Sequence, residues 1–269
     1  MLAMDHSGIT RRGFLTTMAG GAVAFAGTSP AIALIRPARE RRIARLIGEA
    51  SHMPSVAQRI DFISKALIGS PYRGYTLIGG PWRRERFVVR DDVFDCVTFC
   101  ETVLAAALAP DASQFESKLR FIRYKEGEID WKARNHYFSE WCANNVANDV
   151  CKPLALPGTE TVDKRLSFMG GLPARRVTMT ALPRQALIDN RMLLASGDIV
   201  GFLSKRPGLD YFHTGFVVVA DDGGLWLRHA ARSRGRVLDQ PLMRFLADNH
   251  AHAVTLLRVK EPENTAPVI

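Results

Sequence analysis

The chain has 269 residues, of which 47% are hydrophobic and 9% aromatic, and this composition excludes a wholly disordered protein. Its length exceeds that of a typical single domain without requiring two. The net charge of +9 indicates an anionic partner such as nucleic acid, anionic lipid or an acidic wall polymer. The basic residues are dispersed, without zinc-finger spacing or an RNA-binding aromatic signature, so we predict no nucleic-acid partner.

Residues 1–33 predict a twin-arginine export signal. Arg11 and Arg12 form the arginine pair, a mildly apolar run follows, and residues 31–33 (Ala-Ile-Ala) have the small-x-small pattern of a cleavage site. The apolar run is too short and too rich in Gly and Ala for a membrane anchor. We therefore expect a periplasmic or otherwise exported protein with no stable membrane span after the signal is removed.

Hydrophobic spacing predicts helices along the first half of the chain. Residues 34–53 form an N-terminal helical extension, with an amphipathic helix over 36–51. The following elements are a helix over 55–68, a Gly- and Pro-rich loop over 69–85, a helix from Cys96 to Pro110, a helix with Asp111 as its N-cap that runs through Tyr124, and a helix over 131–145.

The second half changes to short β-branched and aromatic runs bounded by Gly, Asp and Pro. The runs GDIVGFLSK, HTGFVVVAD, GLWLRHAA and AVTLLRVK predict strands of an antiparallel sheet, and residues 241–249 predict a short helix before the last strand. Residues 152–195 are interpreted as a mixed insertion that lines a cleft. Helices followed by strands indicate an α+β fold with helices on one face of the sheet.

Three side chains form a candidate catalytic group. Cys96 stands at the start of a helix, and His213 and His229 lie on strands joined by the turn DDGG, so the two imidazoles can share one end and face of a hairpin. A helix N-terminus and an imidazolium lower a thiol pKa and provide a thiolate nucleophile, which would form a thioester. Taken singly, each residue is also compatible with ordinary packing.

The other cysteines, Cys100, Cys142 and Cys151, leave two alternatives open. Four cysteines are too few for a disulfide-built scaffold, but export permits a bridge between Cys142 and Cys151. Cys96 and Cys100 are four residues apart and would supply half of a zinc site, for which the sequence offers no identifiable remaining ligands. We predict no metal and no cofactor, with a zinc-binding protein as the alternative.

The segments FDCVTFCE, GDIVGF…GLDYFHTGFVV and RHAA together resemble the NlpC/P60 superfamily of cell-wall cysteine peptidases. SPYRGYTL, FIRYKEGEIDWKARNHYFSEWCANN and GLDYFHTG are similar to its DUF1460 branch, the N-acetylmuramoyl-L-alanine amidase-like proteins. The resemblance covers most of residues 60–259. It implies a papain-like fold, with an antiparallel sheet packed against the cysteine-bearing helix, a catalytic domain over 54–261 and a tail over 262–269.

The same resemblance implies roles for individual residues. Cys96 would be the nucleophile, His213 the general base and later the acid, and His229 the orienting partner. The resemblance also suggests four substrate-binding residues, for which packing is the alternative: Tyr72, Asn135, His136 and Tyr137. Residues 76–79 (Thr-Leu-Ile-Gly) lack the acidic residue that usually follows the branch's GTL-like motif, a departure that concerns substrate specificity rather than thiol chemistry.

The function that the resemblance implies is hydrolysis of the N-acetylmuramoyl–L-alanine amide of peptidoglycan, and the thiol would perform it through a thioester acyl-enzyme. Peptidoglycan or its muropeptide fragments would be the partner, and their carboxylates suit a basic protein. Two alternatives remain open. One is an endopeptidase that cuts the γ-D-glutamyl–diamino acid bond, and the other is an inactive wall-binding protein of the same fold.

Overall fold

A central antiparallel sheet carries the fold, and helices lie against both of its faces. The computed structural model describes residues 42–262, so the predicted export signal lies outside the described residues. Within this range the helices are α1 Arg42–Ala50, α2 Val56–Ala66, α3 Cys96–Leu108, α4 Phe115–Arg123, α5 Phe138–Ala147, α6 Arg184–Asp189 and α7 Leu242–Asp248. The strands are β1 Ile78–Gly80, β2 Arg83–Arg86, β3 Cys151–Pro153, β4 Glu160–Leu166, β5 Arg175–Pro183, β6 Ile199–Leu203, β7 Tyr211–Val219, β8 Leu225–Ala231, β9 Arg236–Pro241 and β10 Ala253–Val259.

The main sheet has eight strands in the order β4-β5-β10-β6-β7-β8-β9, and β3 also pairs with β10. Neighbouring strands are antiparallel. The four strands predicted from the sequence correspond to β6, β7, β8 and β10. The prediction of an antiparallel sheet accompanied by several helices is therefore confirmed.

Helix α3 lies in the core between the sheet and the other helices. Eleven of its thirteen residues are buried, because the helix carries its own Val, Leu, Phe and Ala side chains on nearly all of its sides. Phe99 packs edge-on against Phe94 and against Phe216 of β7, with ring centroids 5.8 and 5.9 Å apart. The apolar helix is thus fixed directly against the strand that carries one of the candidate histidines.

The opposite face of the sheet has its own apolar layer. Val217 of β7 and Leu227 of β8 pack there with Phe245 and Leu246 of α7. The helical layer predicted for one face is therefore joined by α7 on the other. None of the helices within residues 42–262 is long and apolar enough to cross a membrane.

Arg228 joins the helical layer to the edge of the sheet. This buried guanidinium donates hydrogen bonds to the Asp61 carboxylate at 2.7 Å and to the Ser64 hydroxyl at 3.0 Å, both on α2. It also donates two bonds, at 2.7 and 2.8 Å, to the Asp239 carboxylate on β9. One side chain from β8 therefore holds the first half of the chain against the second.

Several elements differ from their prediction. The loop predicted over 69–85 contains the β1–β2 hairpin, and residues 131–145 become helical only from Phe138. Asp111 accepts the backbone N–H of Ser113 in a turn, and Gln114 takes the N-cap position of α4 instead. Residues 152–195 form β3, β4, β5 and α6, and β5 extends the main sheet by pairing with β10.

Candidate active site

Cys96 is the first residue of α3, and a capping box fixes its position. The Asp95 carboxylate accepts the Thr98 backbone N–H at 2.8 Å, and the Thr98 hydroxyl accepts the Asp95 N–H at 2.9 Å. Such a cap stabilises a helix by about 1 kcal/mol and fixes its first turn. The sulfur is therefore held by local hydrogen bonds that are readable in the sequence DCVT.

The Cys96 sulfur contacts the backbone of Thr214, which lies beyond the end of the ladder between β7 and β8. The ladder between β7 and β8 ends at Phe216, whereas β8 stays paired with β9 as far as Ala231. Successive amides of a strand point to opposite neighbours, and because the Val217 amide points to the β6 side, the Thr214 amide points to the β8 side. That amide lies close enough to the Cys96 sulfur to act as a hydrogen-bond donor and lower the thiol pKa.

The two candidate histidines, His213 on β7 and His229 on β8, form a hydrogen-bonded pair. His213 Nε2 lies 2.6 Å from His229 Nδ1, and the rings are nearly perpendicular at 86°. The Phe245 ring of α7 packs 5.3 Å from each imidazole and shields the pair from solvent. Gly215 lets β8 approach, because an added Cβ there would lie 3.0 Å from the His229 Cβ. The structure brings the two imidazoles together, with His213 next in sequence to the residue that contacts the sulfur.

Burial dominates the electrostatics of these three groups. Burial and, to a smaller extent, the Asp95 carboxylate raise the pKa of the Cys96 thiol to about 12, against the lowering effect of the backbone N–H groups around the sulfur. Burial lowers the pKa of His213 to about 3 and that of His229 to about 4. The sequence predicted a lowered thiol pKa, but in the free protein the effect of burial is larger than that of the helix N-terminus. All three groups are therefore neutral near pH 7.

Asp95→Asn is expected to make the thiol more reactive at neutral pH. Asparagine is an equally good N-cap, so α3 keeps its first turn, while the negative charge that raises the Cys96 pKa is removed. The pKa of Cys96 should therefore fall, so that the thiolate forms at lower pH. In a plot of iodoacetamide alkylation rate against pH, the midpoint should move to lower pH. The matched control is Asp92→Asn, whose carboxylate pairs with Arg90 at 2.6 Å. Equal shifts in both variants would contradict the assignment to Asp95.

Cys96 lies in the wall of a cleft of about 730 Å³. The cleft lining includes three of the four predicted substrate-binding residues, Tyr72, Asn135 and His136. Tyr137 is buried instead, where its hydroxyl accepts the Met169 backbone N–H at 2.9 Å. Because Met169 itself lines the cleft, Tyr137 supports the wall from behind rather than contacting a bound molecule directly.

Of the predicted substrate-binding residues, Tyr72, Asn135 and His136 line the cleft, and they differ in how many of their hydrogen-bonding groups are already used within the protein. The Asn135 side chain donates to the Ile122 carbonyl at 3.1 Å and accepts from the Asn144 amide. His136 Nε2 lies 2.6 Å from the Trp131 carbonyl, and burial lowers the pKa of this imidazole to about 4. Tyr72 has a pKa raised to about 12 by burial and by nearby Cys96, so it faces the site as a neutral phenol.

Two buried carboxylates near the cleft are functional candidates that the motifs did not reveal. Glu101 of α3 receives a hydrogen bond from Arg123 at 2.7 Å, and both side chains are 3% exposed. Glu85 of β2 accepts from the Tyr124 hydroxyl at 2.8 Å and from Arg134 at 2.9 Å. The buried Glu101–Arg123 pair could have been identified from the sequence, because a glutamate inside the apolar run of α3 requires a buried partner.

Within residues 42–262, no three His, Cys, Asp or Glu side chains converge as metal ligands. Cys142 and Cys151, for which a bridge remained open, are free buried thiols in the structure. Cys100 is buried too, with its sulfur 4.0 Å from the Thr214 hydroxyl.

The AmiA-like family model, described as N-acetylmuramoyl-L-alanine amidase-like, matches residues 62–254. An N-acetylmuramoyl-L-alanine amidase from Bacteroides uniformis has a similar crystal structure, with a TM-score of 0.67 and 26% identity over 77% of this chain and 99% of that one. A DUF1460 protein from Legionella pneumophila is similar in fold, with a TM-score of 0.72 and 22% identity over 81% of this chain and 93% of that one. Among curated proteins, none matches the chain.

Proposed function

Because the chain belongs to the AmiA-like family of N-acetylmuramoyl-L-alanine amidase-like proteins, we propose that it is an exported cysteine amidase of peptidoglycan with a papain-like, NlpC/P60-type catalytic domain. The observation that carries the proposal is the contact of the Cys96 sulfur with the amide of Thr214, the residue that follows His213 of the hydrogen-bonded His213–His229 pair. The sulfur also lies in the wall of a cleft large enough for part of a muropeptide. The signal over residues 1–33 would carry the chain out of the cytoplasm.

In the proposed reaction, His213 takes the thiol proton on Nδ1, because its Nε2 is already bound to His229. Neither a thiolate nor an imidazolium is stable alone in this buried place, but each stabilises the other, so the two ionise as a pair. The sulfur attacks the lactyl carbonyl carbon, and backbone N–H groups at the start of α3 stabilise the oxyanion.

The second half of the proposed reaction returns the proton. Imidazolium Nδ1–H protonates the alanine nitrogen as the C–N bond breaks, leaving a thioester on Cys96. His213 then removes a proton from water, whose oxygen attacks the thioester carbonyl, and the proton returns to the leaving sulfur. The net change is amide plus water to carboxylic acid plus amine, with the enzyme restored.

This proton path fixes the tautomer of His229. If Nε2–H of His213 donates to His229 Nδ1, His229 carries its own proton on Nε2, a buried atom without a hydrogen bond among the described residues. Gln240 of β9 lies opposite Leu227, two positions from His229 on the same face of β8. Its side chain also raises the pKa of His229, as a nearby acceptor would. We infer that the Gln240 carbonyl oxygen turns to accept this proton and orients the pair.

Gln240→Leu is expected to lower kcat about tenfold with little change in KM, because one buried hydrogen bond of about 1 kcal/mol orients the base. Gln240→Glu retains an acceptor and should recover much of the rate. It should also shift the acid limb of the pH–rate profile upward, since a carboxylate favours the imidazolium. The other ionisable groups near His229 are His213 and Asp239, the latter bound to Arg228.

The control for Gln240→Leu is Gln185→Leu on α6, where the amide bonds only to the exposed Asp189. Steady-state kinetics on a muropeptide would compare the variants. An unchanged rate and pH profile in both Gln240 variants would remove Gln240 from the mechanism.

The proposed function is tested by digesting defined muropeptides with the wild-type protein and identifying the products by mass spectrometry. Amidase action releases a peptide with a new free amine on L-alanine and leaves the lactyl acid on the sugar. A new amine on the diamino acid would instead identify a γ-D-glutamyl endopeptidase. Binding of muropeptides without any cleavage would identify an inactive wall-binding protein.

A further inference from the structure

Two large aromatic side chains near the cleft are fully exposed. Tyr75 is 101% and Trp82 99% exposed, whereas Trp131 and Trp141 are buried and Trp226 is 37% exposed. An aromatic side chain usually stabilises a protein by burying much of its surface, and neither of these does so. Single exposed apolar residues are common on protein surfaces, but two on one segment beside a cleft are not explained by chance placement alone.

Both side chains belong to the segment that forms one wall of the cleft. Tyr75 and Pro81 line the cleft together with Cys96, and Trp82 follows Pro81 in the turn of the β1–β2 hairpin. Tyr75 also lies close enough to Tyr72 to affect its pKa. Tyr75 is therefore in the wall of the cleft that holds the thiol, and Trp82 is in the adjoining hairpin turn.

The hairpin that presents Trp82 is fixed to the body of the protein. Glu85 of β2 is buried and accepts hydrogen bonds from Tyr124 and Arg134. On the other side, Gly171 packs so closely on the turn that an added Cβ would lie 2.3 Å from Pro81. Trp82 is thus exposed on a rigid support, as a preorganised contact requires.

The backbone of Tyr75 adds an independent observation. Its φ of 59° lies in the left-handed region, where a residue other than glycine costs free energy of order 1 kcal/mol. Glycine or asparagine at this position would avoid the cost, and because the Tyr75 side chain is fully exposed, the replacement would lose no buried surface. Strain kept at an exposed aromatic beside a cleft points to a contact made with a ligand.

We propose that Tyr75 and Trp82 form a saccharide-binding platform, which stacks against an N-acetylhexosamine ring of the substrate while the lactyl carbonyl lies at Cys96. This proposal rests on the proposed amidase function and adds the part of the substrate that the cleft mouth recognises. The weakly positive C–H groups of a pyranose face suit the negative π-face of an aromatic ring.

Sugar-containing and sugar-free substrates separate this proposal from general effects on catalysis. Trp82→Ala is expected to raise KM about tenfold for an N-acetylmuramoyl peptide and to leave KM unchanged for the corresponding D-lactyl peptide, which lacks the sugar ring. Tyr75→Ala should behave in the same way. The matched control is Trp226→Ala, an exposed tryptophan on β8, outside the hairpin that carries Trp82.

Binding can be measured without turnover in the full chain carrying Cys96→Ala. Titration with N,N′-diacetylchitobiose should change the tryptophan fluorescence, and the change should disappear with Trp82→Ala but persist with Trp226→Ala. The proposal is overturned if Trp82→Ala raises KM equally for both substrates or for neither.

It is also overturned if chitobiose leaves the fluorescence unchanged while the protein binds phosphatidylglycerol vesicles through Trp82, because the surface would then bind membranes. Failure of the amidase proposal has a different signature, since the wild-type protein would then release no alanine-terminated peptide from either substrate.

Discussion

Cys96→Ala is expected to lower muropeptide turnover by at least about 10⁴-fold, which is the usual effect of removing the nucleophile from a catalytic group that acts as a unit. No other thiol can substitute, because Cys100, Cys142 and Cys151 are buried and lie outside the cleft lining. The fold should survive, since the capping box uses Asp95 and Thr98 rather than the sulfur.

The matched control is Cys100→Ala, one helical turn away. Its sulfur contacts the Thr214 hydroxyl at 4.0 Å in the core, so the variant should lose about 1 kcal/mol of stability but keep its turnover. Iodoacetamide followed by peptide mass spectrometry should label the wild type at Cys96 in a pH-dependent manner. Product release by Cys96→Ala at a rate close to wild type would refute cysteine catalysis.

Glu101→Leu is expected to lower the free energy of unfolding by about 3–5 kcal/mol, the largest stability effect that the structure predicts. The substitution leaves the Arg123 guanidinium buried with only the Val88 carbonyl, at 2.5 Å, as a remaining partner. Arginine does not shed its proton in proteins, so the uncompensated charge persists at every accessible pH. Removing Arg123 instead should cost less, because burial already raises the pKa of Glu101 and a protonated carboxyl is tolerated.

Equilibrium urea unfolding would measure this difference. Asp92→Leu is the control, because the Arg90–Asp92 pair is exposed and such pairs contribute at most about 1 kcal/mol. A loss below 1 kcal/mol for Glu101→Leu would mean that water or a rearranged neighbour already satisfies Arg123.

Sequence patterns could predict the strands that consist mostly of buried apolar residues. They could not predict the strands that carry polar or charged side chains. β6 and β7 are rich in β-branched and aromatic residues and were predicted. β9 was missed because its sequence RVLDQP contains Asp239 and Gln240, which face Arg228 and His229 rather than an apolar core. The β1–β2 hairpin was missed because its strands are short and rich in Gly and Arg.

The candidate site shows the same division. The start of α3 at Cys96 follows from local capping by Asp95 and could be predicted. The turn between β7 and β8 likewise predicted that His213 and His229 lie on neighbouring strands, although the ladder itself ends at Phe216. The pKa of the thiol could not be predicted, because it depends on how deeply the folded chain buries the sulfur. Tyr137 was expected to contact substrate, but α5 begins at Phe138, and this start directs the tyrosine behind the cleft wall.

The bonds of Arg228 determine how heat should affect the molecule. Its guanidinium bonds to Asp61 of α2 and to Asp239 of β9 at once, so α2 cannot leave the sheet without breaking hydrogen bonds of a buried cation. Scanning calorimetry should therefore show one endotherm, with the helical and strand portions melting together. The contact between His213 and His229 would then exist only in fully folded molecules and disappear in one step above the melting temperature.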